Sequence, residues 1–122
     1  MKTILLVDDS AAVRMVARKY TNSLGLRVLE AENGAVALDI ARRHPQIDVV
    51  LLDWNMPIMD GMTFLRALRA EARECQPIVV MCTTENELPR IMQAMEAGAN
   101  EYIMKPFNAE IVRDKLQQTG IL

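Results

Sequence analysis

Short apolar runs alternate along this chain with longer stretches in which apolar residues recur at helical spacing. The runs cover residues 4–7, 28–31 (which include Glu30), 49–52, 78–82 and 102–104. Short runs of this kind favour β-strands, and the stretches between them favour α-helices. Alternating strands and helices are typical of βα units, so the pattern predicts a parallel sheet of five strands.

Five helices are predicted to follow these strands. In chain order they begin at Ser10, near Asn33, after Asp60, in the turn that contains Pro89, and at Asn108. Ser10 is expected to cap the first helix, and glycines at 25 and 98 to end the first and the fourth. The residues expected to face the core are Val13, Val16, Ala17, Tyr20, Leu24, Val36, Ala37, Ile40, Ala41, Phe64, Leu65, Leu68, Leu88, Met92, Met95, Ile111, Val112 and Leu116.

Right-handed crossovers between the five units would place helices on both faces of the sheet. The predicted architecture is therefore a three-layer α/β/α sandwich. Strand order does not follow from these patterns.

The bulk properties are those of a single folded domain. The chain has 122 residues without a repeat, linker or low-complexity tract, so we expect one domain over residues 1–122. Hydrophobic residues make up 51% and charged residues 25%, which is ordinary for a globular protein. The net charge of −2 gives no general attraction to nucleic acid.

The N-terminal sequence and the cysteines indicate a cytoplasmic protein. The apolar run before Asp8 has only four residues, 4–7, which is too few for a signal peptide or a membrane span. The two cysteines, Cys75 and Cys82, have no metal-ligand spacing and are expected to be reduced thiols.

Charged residues follow three of the apolar runs at the point where each predicted strand ends. Asp8 and Asp9 follow the first run, Asp53 the third and Lys105 the fifth. Parallel strands open their carboxyl ends on one edge of the sheet, where ligands bind in α/β proteins. Acidic groups gathered there repel one another unless a cation intervenes. These acidic residues therefore favour the binding of a hard divalent metal ion. Mg²⁺ is the most suitable, because it binds carboxylate, water and phosphate oxygens.

Each of these signals alone has a simpler structural explanation. Acidic pairs such as Asp8-Asp9 are common at helix N-termini, and one lysine before a proline says little. Their coincidence at the ends of three strands is what favours a functional site.

Short motifs surround the same positions. They are Leu6-Val7-Asp8-Asp9-Ser10, Leu52-Asp53-Trp54-Asn55-Met56-Pro57 with Met59-Asp60-Gly61, Met81-Cys82-Thr83-Thr84-Glu85, Ala97-Gly98-Ala99, and Tyr102 through Lys105-Pro106-Phe107. In this order they resemble the response-regulator receiver family, and more narrowly its single-domain, CheY-like chemotaxis regulators. The resemblance covers essentially the whole chain and implies a flavodoxin-like (CheY-like) fold with strand order 2-1-3-4-5.

The resemblance also implies a role for each site residue. Asp53 resembles the family's phosphoacceptor. Asp8 and Asp9 resemble the acidic pair that holds Mg²⁺ together with the Asp53 carboxylate and the backbone carbonyl of Asn55. Lys105 resembles the lysine that pairs with the phosphoryl oxygens.

Two further positions resemble the family's conformational switch. Thr83 resembles the hydroxyl that moves to bind the phosphoryl group, and Tyr102 the aromatic residue that changes rotamer. The family also implies a cis peptide between Lys105 and Pro106, which X-Pro bonds adopt at low cost.

A receiver of this kind is a phosphoacceptor signalling protein with intrinsic autophosphorylation and autodephosphorylation, and not a conventional enzyme. The implied phosphodonor is a histidine kinase or a phosphotransfer protein. The implied target is a protein that binds the face formed by the fourth helix, fifth strand and fifth helix. We expect a monomer that binds neither nucleic acid nor membrane.

Two residues are expected to tune the lifetime of the phosphorylated form. Asn55 lies two positions after Asp53, and Glu85 two positions after Thr83. Both side chains should overhang the phosphoryl group and leave room for an in-line water molecule, so fast dephosphorylation is expected.

Other classes of protein fit the sequence less well. An aspartate-nucleophile phosphohydrolase would usually carry a second acid where this chain has Asn55. A nucleotide or flavin binder would need a Gly- or Ser/Thr-rich first βα turn, whereas Asp8-Asp9 would repel phosphate in the absence of metal. A DNA-binding regulator would need a helix-turn-helix beyond the receiver pattern. A stand-alone receiver in a phosphorelay other than chemotaxis stays open.

Overall fold

The structure is a computed structural model that describes residues 1–122 and contains one parallel sheet of five strands. The strands are β1 (Thr3–Val7), β2 (Arg27–Ala31), β3 (Val49–Asp53), β4 (Ile78–Thr83) and β5 (Glu101–Met104). Their order across the sheet is β2-β1-β3-β4-β5, as the family resemblance implied. Each strand extends the predicted apolar run by one residue at one end.

Five α-helices and one short 3₁₀ helix complete the fold. The α-helices are α1 (Ala11–Ser23), α2 (Gly34–Arg43), α3 (Gly61–Ala70), α4 (Ile91–Ala97) and α5 (Ala109–Gln118), and the 3₁₀ helix Glu85–Arg90 precedes α4. Ser10 caps α1 as predicted, by accepting a hydrogen bond from the Val13 N–H. No helix has the length and apolar character that crossing a bilayer requires.

The core has two parts, one on each face of the sheet. The larger, of 17 buried residues, packs α2, α3 and α4 against the strands and includes Phe64, Leu65 and Leu68 at 0% exposure. The smaller, of 11 buried residues, packs α1 and α5 against the opposite face. The three-layer sandwich is therefore confirmed.

The predicted inward face of the fourth helix is wrong. Met92 is 67% exposed and Met95 is 38% exposed. The prediction continued one helical period from Leu88, but the 3₁₀ helix intervenes and has fewer residues per turn. Consequently α4 turns a different stripe inward, in which Ala94 is buried and Ile91 packs against the core.

Three other residues that were predicted to face the core lie at the margin of their helices. Val16, Val36 and Ile111 are 39%, 37% and 40% exposed. The sheet contacts a narrower stripe of each helix than periodicity predicts. Thr21 and Leu38 are buried in α1 and α2, although neither was predicted to be.

Candidate functional site

The four charged residues predicted to meet at the edge of the sheet do so. Asp8 directly follows β1, Asp53 ends β3, and Lys105 directly follows β5. The Lys105 ammonium donates to Asp8 Oδ2 over 2.8 Å and to Asp53 Oδ1 over 3.0 Å. Asp8 and Asp53 are only 6% and 7% exposed, so the ion pairs are shielded from bulk water.

The acidic residues form a group that could hold a metal ion. Asp8, Asp9 and Asp53 each offer a carboxylate oxygen, and these atoms all lie within 4.8 Å of one another. Asp9 is exposed, whereas the other two are buried, so one side of the group faces solvent. Hard carboxylate oxygens with an open side suit a cation such as Mg²⁺, which keeps several waters and binds phosphate oxygens.

Asp8 is held in place from the N-terminus of α1. The Ser10 N–H donates to Asp8 Oδ1 over 2.9 Å. Arg14 donates to the Asp8 carbonyl oxygen and, over 3.2 Å, to the Glu30 carboxylate in β2. No local sequence pattern identifies Arg14, because its partners, Asp8 and Glu30, lie outside α1.

The pKa values reflect this crowding. Burial raises the pKa of Asp53 above its usual value; the hydrogen bond from Lys105 opposes this effect, and the charge of Asp8 adds to it. Burial is the largest single influence on the pKa of Lys105 and lowers it, but the hydrogen bonds to Asp8 and Asp53 and the charges of both carboxylates together outweigh burial and raise that pKa. Lys105 therefore stays positively charged in the crevice that Asp8, Asp9, Asp53 and Lys105 border at the carboxyl edge of the sheet. Burial also raises the pKa of the Cys82 thiol, which stays neutral and unreactive.

The loop after β3 folds back so that α3 begins against the main chain of Asp53. The Gly61 N–H donates to the Trp54 carbonyl over 2.8 Å. A Cβ at Gly61 would overlap the Asp53 carbonyl oxygen, so only glycine fits there. Asp60 caps α3 through a 2.8 Å hydrogen bond from the Thr63 N–H. This turn fixes where the Asp53 carboxylate emerges.

The two predicted switch residues lie on neighbouring strands. Thr83 is fully buried, and its hydroxyl donates to the Thr84 carbonyl over 3.1 Å. Tyr102 is 37% exposed, and its ring centroid lies 5.8 Å from Lys115 Nζ. The peptide bond between Lys105 and Pro106 is cis, as the resemblance implied.

The two residues expected to tune the lifetime differ in their surroundings. Asn55 donates from Nδ2 to Glu87 Oε2 over 2.7 Å. Glu85 is exposed and makes no side-chain hydrogen bond or ion pair. Glu87, which was not predicted to contribute to the site, is 7% exposed. The Thr84-x-x-Glu87 spacing is that of a capping box and signals the contact with Thr84. It does not signal the burial of Glu87 or its contact with Asn55, because these depend on two loops that meet only in the fold.

Most of the chain matches one known protein family. Residues 4–117 match the response regulator receiver domain family. The chain is 36% identical over 115 residues to a chemotaxis protein CheY homolog of Campylobacter jejuni, covering 93% of this chain and 88% of the relative. It is also 36% identical over 116 residues to the chemotaxis protein CheY of Pseudomonas aeruginosa, covering 94% and 93%.

Solved structures with the same fold include a chemotaxis protein. The chemotaxis protein CheY4 of Vibrio cholerae superimposes with a TM-score of 0.89 at 32% identity, covering 97% of this chain and 98% of that one. The match extends from β1 to the last turn of α5. This chain belongs to the response regulator receiver family of two-component signalling proteins.

Proposed function

We propose that Asp53 accepts a phosphoryl group from the phosphohistidine of a histidine kinase or phosphotransfer protein, in a reaction that requires Mg²⁺. One observation carries the proposal: the buried Asp53 carboxylate lies 3.0 Å from the Lys105 ammonium, and oxygens of Asp8 and Asp9 lie within 4.8 Å of it. A nucleophile, a fixed cation and a group of metal-ligand oxygens thus border one crevice.

The chemistry follows from these charges. A carboxylate oxygen of Asp53 attacks phosphorus, the bond from phosphorus to the histidine nitrogen breaks, and an acyl phosphate forms. Phosphoryl transfer depends mainly on positioning and on neutralising the equatorial oxygens. Lys105 pairs with those oxygens, and the carboxylates of Asp8, Asp9 and Asp53 with the backbone carbonyl of Asn55 would hold Mg²⁺. The bound ion supplies further neutralisation of the transferred group.

The same geometry accounts for reset. Water attacks the acyl phosphate in line and releases inorganic phosphate, so that Asp53 returns to a carboxylate. Asn55 and Glu85 border this path and tune its rate. The protein thus catalyses both its own phosphorylation and its own dephosphorylation. The functional result is a change in its surface.

The surface change is a shift between two states. The phosphoryl group favours a state in which the Thr83 hydroxyl turns from the Thr84 carbonyl toward the phosphoryl oxygens. The space that Thr83 leaves can admit the Tyr102 ring, which lies half-exposed on the adjacent strand. The face formed by α4, β5 and α5 then differs between the two states.

That face is the proposed binding surface for a target protein. Its exposed apolar side chains are Met92, Met95, Tyr102 and Ile111. Methionines adapt to different partner surfaces because their side chains are flexible and polarisable. The relatives are named chemotaxis proteins, which supports a role in chemotaxis, with a flagellar-motor protein as the target. That residues 1–122 act as a stand-alone monomer remains a prediction.

Phosphotransfer from purified donors tests this proposal. Histidine kinases and phosphotransfer proteins, phosphorylated on histidine, are mixed with the protein with and without Mg²⁺. The proposal expects at least one donor to transfer phosphate rapidly to this chain, and only with Mg²⁺. The proposal is wrong if no donor transfers phosphate to this chain, or if transfer is equally fast without Mg²⁺. Transfer from donors of another pathway alone would favour a phosphorelay outside chemotaxis.

A further inference from the structure

A single buried carboxylate connects the two loops that border Asp53. Asn55 lies in the loop after β3, and Thr84 follows Thr83 at the end of β4. Glu87, in the 3₁₀ helix, lies between them and is only 7% exposed. Glutamate is seldom so buried without partners. None of the roles proposed above uses this residue.

The groups that face Glu87 from the two loops are all donors. Asn55 Nδ2 donates to Oε2 over 2.7 Å. The Thr84 N–H donates to Oε1 over 2.9 Å, and the Thr84 hydroxyl donates to the same oxygen over 3.1 Å. The Arg90 guanidinium adds a looser contact at 3.8 Å. The carboxylate therefore holds a side chain of one loop and the main chain of the other at the same time.

These contacts constrain two residues that the phosphoryl chemistry uses. Asn55 is drawn toward Glu87. The Thr84 N–H belongs to the peptide that follows Thr83, so its hydrogen bond to Glu87 ties the main chain beside the Thr83 hydroxyl to the 3₁₀ helix. In the observed arrangement the Thr83 hydroxyl donates to the Thr84 carbonyl.

We propose that Glu87 is a positioning residue that stabilises the resting arrangement of both loops and loses these contacts when a phosphoryl group occupies the crevice. The inference rests on the proposed chemistry at Asp53. An interaction made only in the resting state lowers the affinity for any ligand that favours the other state. Removing the Glu87 carboxylate therefore increases the affinity for a phosphoryl group.

Beryllium fluoride, a noncovalent analogue of the phosphoryl group, measures this affinity in the presence of excess Mg²⁺. Emission of Trp54, which adjoins Asp53, reports binding. In Glu87→Met, which keeps length but has no acceptor oxygen, we expect the Kd to fall by about fivefold. Glu87→Gln should lie between this variant and the parent, because one amide oxygen cannot accept from all three donors.

Glu110 provides a matched control. It is an exposed carboxylate in the first turn of α5 and makes no hydrogen bond or ion pair. Glu110→Met removes the same charge from a helix start, and its Kd should equal that of the parent. The effect of Glu87→Met should also shrink in an Asn55→Ala background, because the two side chains are in contact.

Two results would overturn the inference. One is an unchanged or higher Kd in the Glu87 variants, accompanied at most by a lower Tm, which would mean that Glu87 only starts the helix. The other is an equal fall in Kd in Glu110→Met. If Glu87→Met fails to fold, Glu87→Gln decides by the same criterion. Failure of the parent itself to bind beryllium fluoride would refute the chemistry proposed at Asp53, and this inference with it.

Discussion

Lys105 Nζ lies 3.0 Å from Asp53 Oδ1, although 52 positions separate the two residues in the sequence. The same ammonium donates to Asp8 over 2.8 Å. Its main chain is fixed as well, because the Lys105 N–H donates to the Thr83 carbonyl over 2.7 Å. One cation thus offsets the repulsion between two buried carboxylates, and it is positioned by the strand that carries the proposed switch hydroxyl.

Removing this cation should destabilise the protein in a pH-dependent way. We expect Lys105→Met to lower the free energy of unfolding by on the order of 2 kcal/mol at neutral pH. The pKa of Asp53 is already raised by burial, and loss of Lys105 would raise it further. A carboxyl group whose pKa is higher in the folded than in the unfolded state favours folding while it is protonated. This contribution to stability is complete at pH values below the unfolded-state pKa and is lost as the pH rises through the folded-state pKa. The deficit should therefore be small near about pH 4 and grow toward neutrality.

Denaturant unfolding of parent and variant at both pH values measures this deficit. Lys115→Met is the matched control, since Lys115 pairs with Glu101 over 3.1 Å, away from the crevice. An equal deficit in Lys105→Met at acid and neutral pH would contradict the electrostatic explanation.

Mg²⁺ binding should change the emission of the single tryptophan. Trp54 follows Asp53, is 2% exposed, and has the Arg90 guanidinium 5.0 Å from its ring centroid. A cation bound by the adjacent carboxylates would alter the field at the indole. We expect a saturable change in fluorescence that Asp8→Asn and Asp9→Asn weaken.

Asp39→Asn serves as the control for that titration, because Asp39 is an exposed acid paired with Arg43 on α2. Calorimetry provides an independent measure of binding. Unchanged emission together with no heat of binding would count against the proposed metal site.

The lifetime of the acyl phosphate should depend on Asn55 and Glu85. Their small or polar side chains leave room for an in-line water, whereas a bulky or cationic one would block or displace it. We expect Asn55→Arg and Glu85→Leu to slow decay on the order of tenfold. Measuring acyl-phosphate decay in these variants and in Glu110→Leu tests the expectation. Identical rates in all of them would mean that neither residue gates the water.

Gly61 should be required for the position of Asp53. An added Cβ would overlap the Asp53 carbonyl oxygen, so Gly61→Ala must push the loop away from β3. We expect a loss of about 2 kcal/mol in unfolding free energy and slower phosphorylation. Gly25→Asn is the control, because Gly25 has a φ of +80° and open space around it, which asparagine tolerates. If both variants had equal unfolding free energies and equal phosphorylation rates, the close approach of Gly61 to the Asp53 carbonyl oxygen would be unimportant.

The sequence was most informative where burial is continuous. β1 and β3 are buried along their whole length, so each appears as an unbroken apolar run and its end is visible. Because Asp8 directly follows the first apolar run and Asp53 directly follows the third, their convergence at the sheet edge could be predicted. Strand order came only from the family resemblance, since the sequence of a parallel strand does not indicate which strands lie beside it.

Features that depend on how loops meet could not be predicted. The 3₁₀ helix before α4 changes the helical phase, so Met92 and Met95 were wrongly expected in the core. Glu87 looks like an ordinary acidic residue at a helix start, yet its carboxylate binds Asn55, 32 positions away. Such contacts follow from tertiary packing and leave no periodic signal in the sequence.

Locating the modified residue is the most direct test of whether Asp53 is the phosphoacceptor. The protein is incubated with Mg²⁺ and acetyl phosphate, and the added mass is located by peptide mapping. We expect one base-labile, hydroxylamine-sensitive phosphoryl group on Asp53, absent in Asp53→Asn and retained in Asp60→Asn, where asparagine can still cap α3. An undiminished acyl phosphate in Asp53→Asn would mean that Asp53 is not the phosphoacceptor.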